Sequence, residues 1–173
     1  MDIYGERKLA GPVLEVAAGS GRNTRVLRES GFTVVSTNDN EPYTQLPGGR
    51  NAYAAALSTH GYLHGTVAKL RMGLAELRRV LADRAPVAIT LGSIEDARFG
   101  FGEQFDDNTF SPGDGDEIGI PHAYFDRDGV TELLRGSFAI ESLVEMDVDT
   151  IVGRWAHEAP QGMRHWFVLA QKS

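Results

Sequence analysis

Glu15 is the first residue whose position calls for a chemical reason. It is a carboxylate set in an apolar run, Val13, Leu14 and Val16, and the run then turns through Ala17-Ala18-Gly19-Ser20-Gly21 into Arg22-Asn23-Thr24. Glycines at such a turn let the backbone bend tightly and approach a ligand, and a helix starting beyond it offers free N–H groups. Glu15 would repel a pyrophosphate, whereas a ligand with a positive centre and an amino-acid end suits it. A second polar group stands at Asn38-Asp39-Asn40-Glu41, and a third at Ser58-Thr59-His60. An imidazole titrates near neutrality, so His60 could act as a general base or orient a nucleophile. His122, just before Ala123-Tyr124-Phe125, is the second candidate to face a substrate. His60 and His64 are four apart, which on a helix is metal-ligand spacing, but the sequence offers them no third ligand and no metal site is expected.

The elements that must position these groups follow from pattern. Residues 13–16 read as a buried strand, and Arg22 to Ser30 as a helix that Gly31 ends in a left-handed conformation. Phe32 to Thr37 has the β-branched content of a second strand. Pro42 to Ala52, with Pro42, Pro47, Gly48 and Gly49, is a loop. Tyr53 to Leu57 is Ala-rich, and only the order of elements makes it a strand. Thr66 to Leu81 is the clearest helix, with Leu70, Leu74, Leu77 and Leu81 on one stripe and Thr66 as its N-cap. Pro86 to Leu91 is a buried strand. Ile94 to Phe125 reads as one long irregular segment, carrying Glu103, Asp106, Asp107, Asp114, Asp116 and Glu117 with several aromatics, and a loop of that length is usually functional. By chain position it would cross the top of the site. Its Asp114-Gly-Asp116-Glu117 run fails calcium-loop spacing. Asp126 caps a helix through Arg135, and Phe138, Ile140, Val144, Met146 and Val148 alternate along a half-buried strand. Residues 149–162 read as a turn region, and Arg164 to Lys172 as the last strand. Strands alternating with helices in this way predict an α/β, doubly wound, mostly parallel sheet in one domain.

On these residues the chain resembles the class I S-adenosylmethionine (SAM)-dependent methyltransferases. Their first motif, roughly acidic-x-G-x-G-x-G at the end of the first strand, is matched by Glu15-x-Ala17-x-Gly19-x-Gly21, with Ala17 replacing the first glycine. Leu46-Pro47, the Ser58-Thr-His60 strand end, the Glu76-Leu-Arg-Arg-Val-Leu81 helix and the His165-Trp-Phe-Val-Leu-Ala170 ending extend the resemblance over Gly11 to Lys172. The resemblance implies a Rossmann-like sheet with an antiparallel C-terminal edge. The third edge strand and its helix are missing, because the dozen residues from Pro42 to Ala52 leave no room for them. It also implies SAM as cofactor, S-adenosylhomocysteine as product and transfer of a methyl group to a small-molecule nucleophile. Glu15, Ala17, Gly19 and Gly21 would hold the methionine end of the cofactor, with Asn23 beside them. Asp39, or Asn38 next to it, would bind the ribose. Ser58 and Thr59 would line the transfer side, with His60 and His122 as candidate catalytic residues. The alternative is a SAM-binding domain of the same fold without catalysis, favoured by the altered glycine motif and the missing edge unit.

Composition narrows the field. With 173 residues and a net charge of −7, the chain lacks the clustered basic charge of a broad nucleic-acid grip. Without cysteine it has no disulfide framework and no thiolate nucleophile. No apolar run approaches a membrane span and no signal peptide is evident, so a cytoplasmic protein without a membrane partner is expected. Dinucleotide binding is disfavoured because no glycine follows Gly21 by three residues. No Asn-Pro-Pro-Tyr signature points to DNA or protein as methyl acceptor. Oligomeric state is not legible.

Overall fold

In the computed structural model, which describes residues 9–113, 117–148 and 162–173, the three-residue strand β1 (Val13–Glu15) turns into α1 (Arg22–Glu29). All three residues of β1 are buried, as expected of a parallel strand covered on both faces. β2 (Val34–Ser36), β3 (Ala55–Ser58), α2 (Val67–Val80) and β4 (Pro86–Ser93) follow, then β5 (Glu103–Asp106), β6 (Thr109–Ser111), β7 (His122–Phe125), α3 (Arg127–Leu134), β8 (Phe138–Asp147) and β9 (Arg164–Lys172). The main sheet runs β2-β1-β3-β4-β9-β8. Its first four strands are parallel, and β9 is antiparallel to both β4 and β8. Among the described residues β2 pairs only with β1, so the sheet ends where a third edge strand would lie. The expected turn region over 149–161 and most of the lead-in before Gly11 fall outside the described residues.

The loop that replaces the missing edge unit is fixed to α2 rather than to the sheet. Tyr43 and Leu46 are buried. The Leu46 amide donates to Glu76 Oε1 (3.0 Å), and Arg79 Nη2 donates to the carbonyls of Leu46 (3.3 Å) and Gly48 (3.1 Å). Gly73 of α2 lies against the Tyr43 ring, where a β-carbon would collide with it. Leu70, Leu74 and Leu77 form the buried stripe of α2. The Thr66 side chain accepts from the Lys69 amide at 3.3 Å as its N-cap. Thr66→Ala should cost about 1 kcal/mol of stability, read as a shift in the urea midpoint at unchanged slope.

Two sequence expectations are corrected. Ile94 to Phe125 is not irregular throughout: among its described residues Glu103–Asp106, Thr109–Ser111 and His122–Phe125 form the antiparallel meander β5-β6-β7, and residues 114–116 of the failed calcium-loop run lie outside the described residues. Its strands are short, and β5 is a largely exposed Glu-Gln-Phe-Asp run without alternation, so no period-2 signal marked them. The hairpin between β5 and β6 closes on Asp106 Oδ1, which accepts from the Asn108 amide at 3.0 Å. In β8 a bulge between Ile140 and Ser142 shifts the phase by one residue. Side chains beyond a bulge change face. Leu143 therefore packs on the core, while Val144 and Met146, expected inward, are 46% and 39% exposed.

The register of β4 fixes where the meander sits. Ile89 pairs with Ser58 of β3 on one edge and with Val168 of β9 on the other. Gly92 pairs with His165 of β9 and with Tyr124 of β7. A residue has only two edges, so β7 occupies the β3 edge of β4, beyond the point where β3 ends. The meander thus stands over the carboxyl end of β3, where open α/β sheets bind ligands.

Candidate active site

The turn after β1 carries left-handed backbone at Ala17 (φ 53°), Gly19 (φ 53°) and Gly21 (φ 71°). Its amides are held from β2. Ala17 N donates to Thr37 Oγ1 (2.9 Å), Ala18 N to the Thr37 carbonyl (2.9 Å) and Gly19 N to Asp39 Oδ1 (3.1 Å). Glu15 lies beneath the turn, 1% exposed, and accepts a hydrogen bond from Thr24 Oγ1, which also meets Ser36 Oγ at 2.8 Å. Its carboxylate therefore ties α1 and β2 to the root of the turn. Asn38 and Asp39 are both exposed at the end of β2, and Asp39 is the one aimed at the turn. Asn38 N is engaged by Glu41 Oε2 at 2.8 Å.

The end of β3 meets the turn from the other side. Ser58 Oγ donates to the Val16 carbonyl (3.0 Å) and accepts from Gly61 N (3.1 Å). A β-carbon on Gly61 would come within 2.9 Å of Ser58 Oγ and 3.0 Å of the Ala17 β-carbon, so only glycine fits there. Asn23 Nδ2 donates to Thr59 Oγ1 at 3.2 Å, and Thr59 Oγ1 lies 3.4 Å from His60 Nδ1. Ala17, Gly19, Gly21, Asn23, Asp39, Thr59 and His60 thus meet around the turn, with Glu15 and Ser58 buried beneath it. Burial, with His64 and Arg22 adding positive charge, holds His60 below its ordinary pKa, so its imidazole is neutral at pH 7 and can accept a proton.

His122 stands on β7 above this surface, 3% exposed, with its ring edge-on to His64 at 4.8 Å between centroids. The backbone bridge between His64 and His122, and the hydrogen bond from Gly65 N to the Pro121 carbonyl (2.6 Å), join the segment after β3 to β7. Four charged or titratable residues without an expected role also gather here. Glu117 lies 3.3 Å from both His64 Nε2 and His122 Nε2, and these two hydrogen-bonded imidazoles hold its carboxyl well below the usual range. Arg98 Nη1 donates to Glu117 Oε2 at 3.0 Å. Asp96, its carboxylate fully buried, pairs with Arg98 (3.2 Å) and accepts from the Arg164 amide (2.8 Å). His165 of β9 is 3% exposed and, chiefly through burial, has its pKa lowered to about 4. A lone polar residue opening the apolar His165–Ala170 run was the available signal for His165. Nothing local in the sequence links Glu117 to His64.

No protein-family model matches this sequence, and no curated protein matches it. Solved structures do. A SAM-dependent methyltransferase from Methanosarcina mazei superposes with a TM-score of 0.79 at 15% identity, over 98% of this chain and 96% of that one. This is the SAM-dependent methyltransferase fold. The 1,6-didemethyltoxoflavin N1-methyltransferase of Burkholderia thailandensis, crystallised with 1,6-didemethyltoxoflavin and S-adenosylhomocysteine, gives 0.68 at 17% identity over 95% of this chain and 73% of that chain. The magnesium protoporphyrin IX methyltransferase of Synechocystis, with bound SAM, gives 0.62 at 13% identity over 98% and 74%. The mostly parallel sheet and its antiparallel C-terminal edge are those the resemblance implies. No helix among the described residues is long and apolar enough to cross a membrane.

Proposed function

We propose that this chain transfers a methyl group from SAM to a small-molecule nucleophile. The observation that carries the reading is the left-handed Ala17–Gly21 turn, facing the Asp39 carboxylate at the carboxyl edge of a methyltransferase-type sheet. The residues present fit such a cofactor. Asp39 keeps an exposed carboxylate for ribose hydroxyls, and Arg22 at the start of α1 places a cation near the turn for a carboxylate. In this assignment Ala17, Gly19 and Gly21 give the methionine end a close-fitting wall, and Asn23 and Thr59 close it from the side of β3. Glu15 acts from below by fixing α1 and β2 on the turn. Asn38 is the second residue within reach of the ribose.

The cofactor, when bound, supplies a sulfonium-activated methyl group for in-line displacement. The protein then has to hold the acceptor in line, exclude water and remove a proton where the acceptor requires it. His60 is the base in this reading: it is neutral at pH 7 and is held by Thr59, which Asn23 and the Thr59 carbonyl's bond from Thr90 Oγ1 (2.6 Å) fix in turn. His122 and the meander form the opposite wall. The acceptors in the toxoflavin and protoporphyrin enzymes' names are small molecules, which supports that class here.

A thermal-shift series with S-adenosylhomocysteine, NADH and ATP tests the reading. At about one hundred times its dissociation constant, a ligand of the folded state adds roughly 2.7 kcal/mol. Stabilisation by S-adenosylhomocysteine alone is expected, followed by methyl transfer within a panel of small oxygen and nitrogen nucleophiles. Stabilisation without transfer to any acceptor would favour the non-catalytic SAM-binding domain. A folded protein that ignores S-adenosylhomocysteine would overturn both.

A further inference from the structure

We propose that His64, Glu117 and His122 form a binding site for a divalent transition-metal ion, with Zn2+ the best match. The three residues come from the segment after β3, the chain before β7 and β7 itself, and one ligand-type atom from each lies within 4.8 Å of the others. Two imidazoles and one carboxylate, leaving a coordination position open, are the donor set of catalytic zinc sites.

Three details favour a metal over a chance cluster. First, His122 Nδ1 is 2.9 Å from the Ile120 carbonyl. A carbonyl only accepts, so Nδ1 carries the hydrogen, and in the neutral ring Nε2 presents a lone pair. That lone pair faces a carboxylate oxygen at 3.3 Å, an arrangement that needs a cation, either a proton on the ring or a metal between the two. A backbone carbonyl on the far nitrogen is the usual outer partner of a metal-bound imidazole. Second, zinc bonds of about 2.0–2.1 Å in tetrahedral geometry place neighbouring ligand atoms about 3.4 Å apart. His64 Nε2 lies 3.3 Å from Glu117 Oε1 and His122 Nε2 lies 3.3 Å from Glu117 Oε2, so each imidazole stands at a ligand–ligand distance from one carboxylate oxygen, and the three ligand atoms, within 4.8 Å of one another, close on one ion with a small shift of His64. Third, the ligands are held from outside. Arg98 Nη1 donates to Glu117 Oε2, buried Asp96 pairs with Arg98, and Tyr43 Oη donates to the His64 carbonyl at 2.5 Å. His64 is the adjustable ligand, its side chain one-third exposed. The sequence pairs His64 with His60; the fold pairs it with His122 instead.

The site adjoins His60, so an ion there would sit beside the proposed transfer surface, where its open position suits water or an anionic oxygen of an acceptor. Metal binding itself does not rest on the methyltransferase reading, and the test separates the two. Tag-free, EDTA-treated protein is titrated with ZnCl2 by calorimetry and with CoCl2 by visible absorption, without SAM. One Zn2+ per chain is expected, with the intense d–d bands of a low-symmetry Co2+ site and a rise in melting temperature that EDTA reverses. His64→Ala and Glu117→Gln, both at partly exposed side chains, should melt as cooperatively as wild type without metal and lose at least ~10-fold in affinity, the lower end of what even an outer partner costs. Asp107→Ala, in the same meander, should bind as wild type does. Absence of stoichiometric binding to the wild type, or undiminished binding by His64→Ala and Glu117→Gln, would overturn the proposal. If either variant fails to fold, the wild-type titration and the other variant still decide.

Discussion

Gly19→Val is expected to abolish detectable binding of S-adenosylhomocysteine while leaving a cooperatively folded protein. Gly19 sits at φ 53° with its amide donating to Asp39 Oδ1. Left-handed backbone in a β-branched residue costs about 1–3 kcal/mol, which a folded domain can survive. A β-carbon there would already touch Asp39 Oδ2 at 3.5 Å. The two further methyl groups of valine would intrude between the turn and Asp39, where the cofactor's ribose and methionine end are proposed to lie. Loss of affinity should reach about 100-fold or more, equivalent to about 2.8 kcal/mol. Glu15→Ala acts differently. It takes away the acceptor of the Thr24 hydroxyl, which also holds Ser36, and leaves a cavity at the root of the turn, so it should weaken binding and lower stability together. The readout is calorimetric titration with S-adenosylhomocysteine beside thermal melts. Wild-type affinity in both variants would mean that the cofactor site is elsewhere.

The legible parts of this molecule were those whose cause is local. Val13 to Gly21 announces strand and turn because apolar run, carboxylate and glycines are contiguous. α2 announces itself through Leu70, Leu74 and Leu77, and its cap through Thr66. The missing edge unit was legible by subtraction, since Pro42 to Ala52 is too short to hold it. What could not be read depended on register. The bulge after Ile140 reverses which residues of β8 face inward, and no residue type at that position declares it. The meander was hidden because β5 is exposed and β6 has three residues. With the meander unseen, His122 was only a histidine beside aromatics, and Glu117 one acid among six. Their meeting with His64 follows from β7 pairing with the last two residues of β4, a contact between distant stretches of chain that no spacing rule encodes.

His165 should make the protein acid-sensitive in a defined window. Its pKa in the folded protein is about 4, mainly through burial, against 6.5 when exposed. Above about pH 6.5 the imidazole is neutral in both states and folding loses nothing. Between 6.5 and about 4 the unfolded chain binds a proton that the folded one refuses, so stability falls as pH falls, by up to about 1.4 kcal/mol per pH unit. By pH 5 the loss should be roughly 2 kcal/mol. His60, also lowered by burial, acts in the same direction. Glu117, whose carboxyl is held below its ordinary 4.5, contributes stability that is lost mainly on acidification below that value, so it adds little between pH 7.5 and pH 5. Urea unfolding at pH 7.5 and at pH 5 measures the effect. His165→Asn, which removes the titrating ring, should flatten the slope between these values and leave only the part due to His60. A variant slope equal to that of wild type would show that His165 is not held neutral. The position of His165 gives the effect its local meaning. A proton forced onto it would be drawn toward buried Asp96, 3.9 Å away, and repelled by Arg98, His60 and His122, so acid should first disturb the Asp96–Arg98 side of the site rather than the sheet edge.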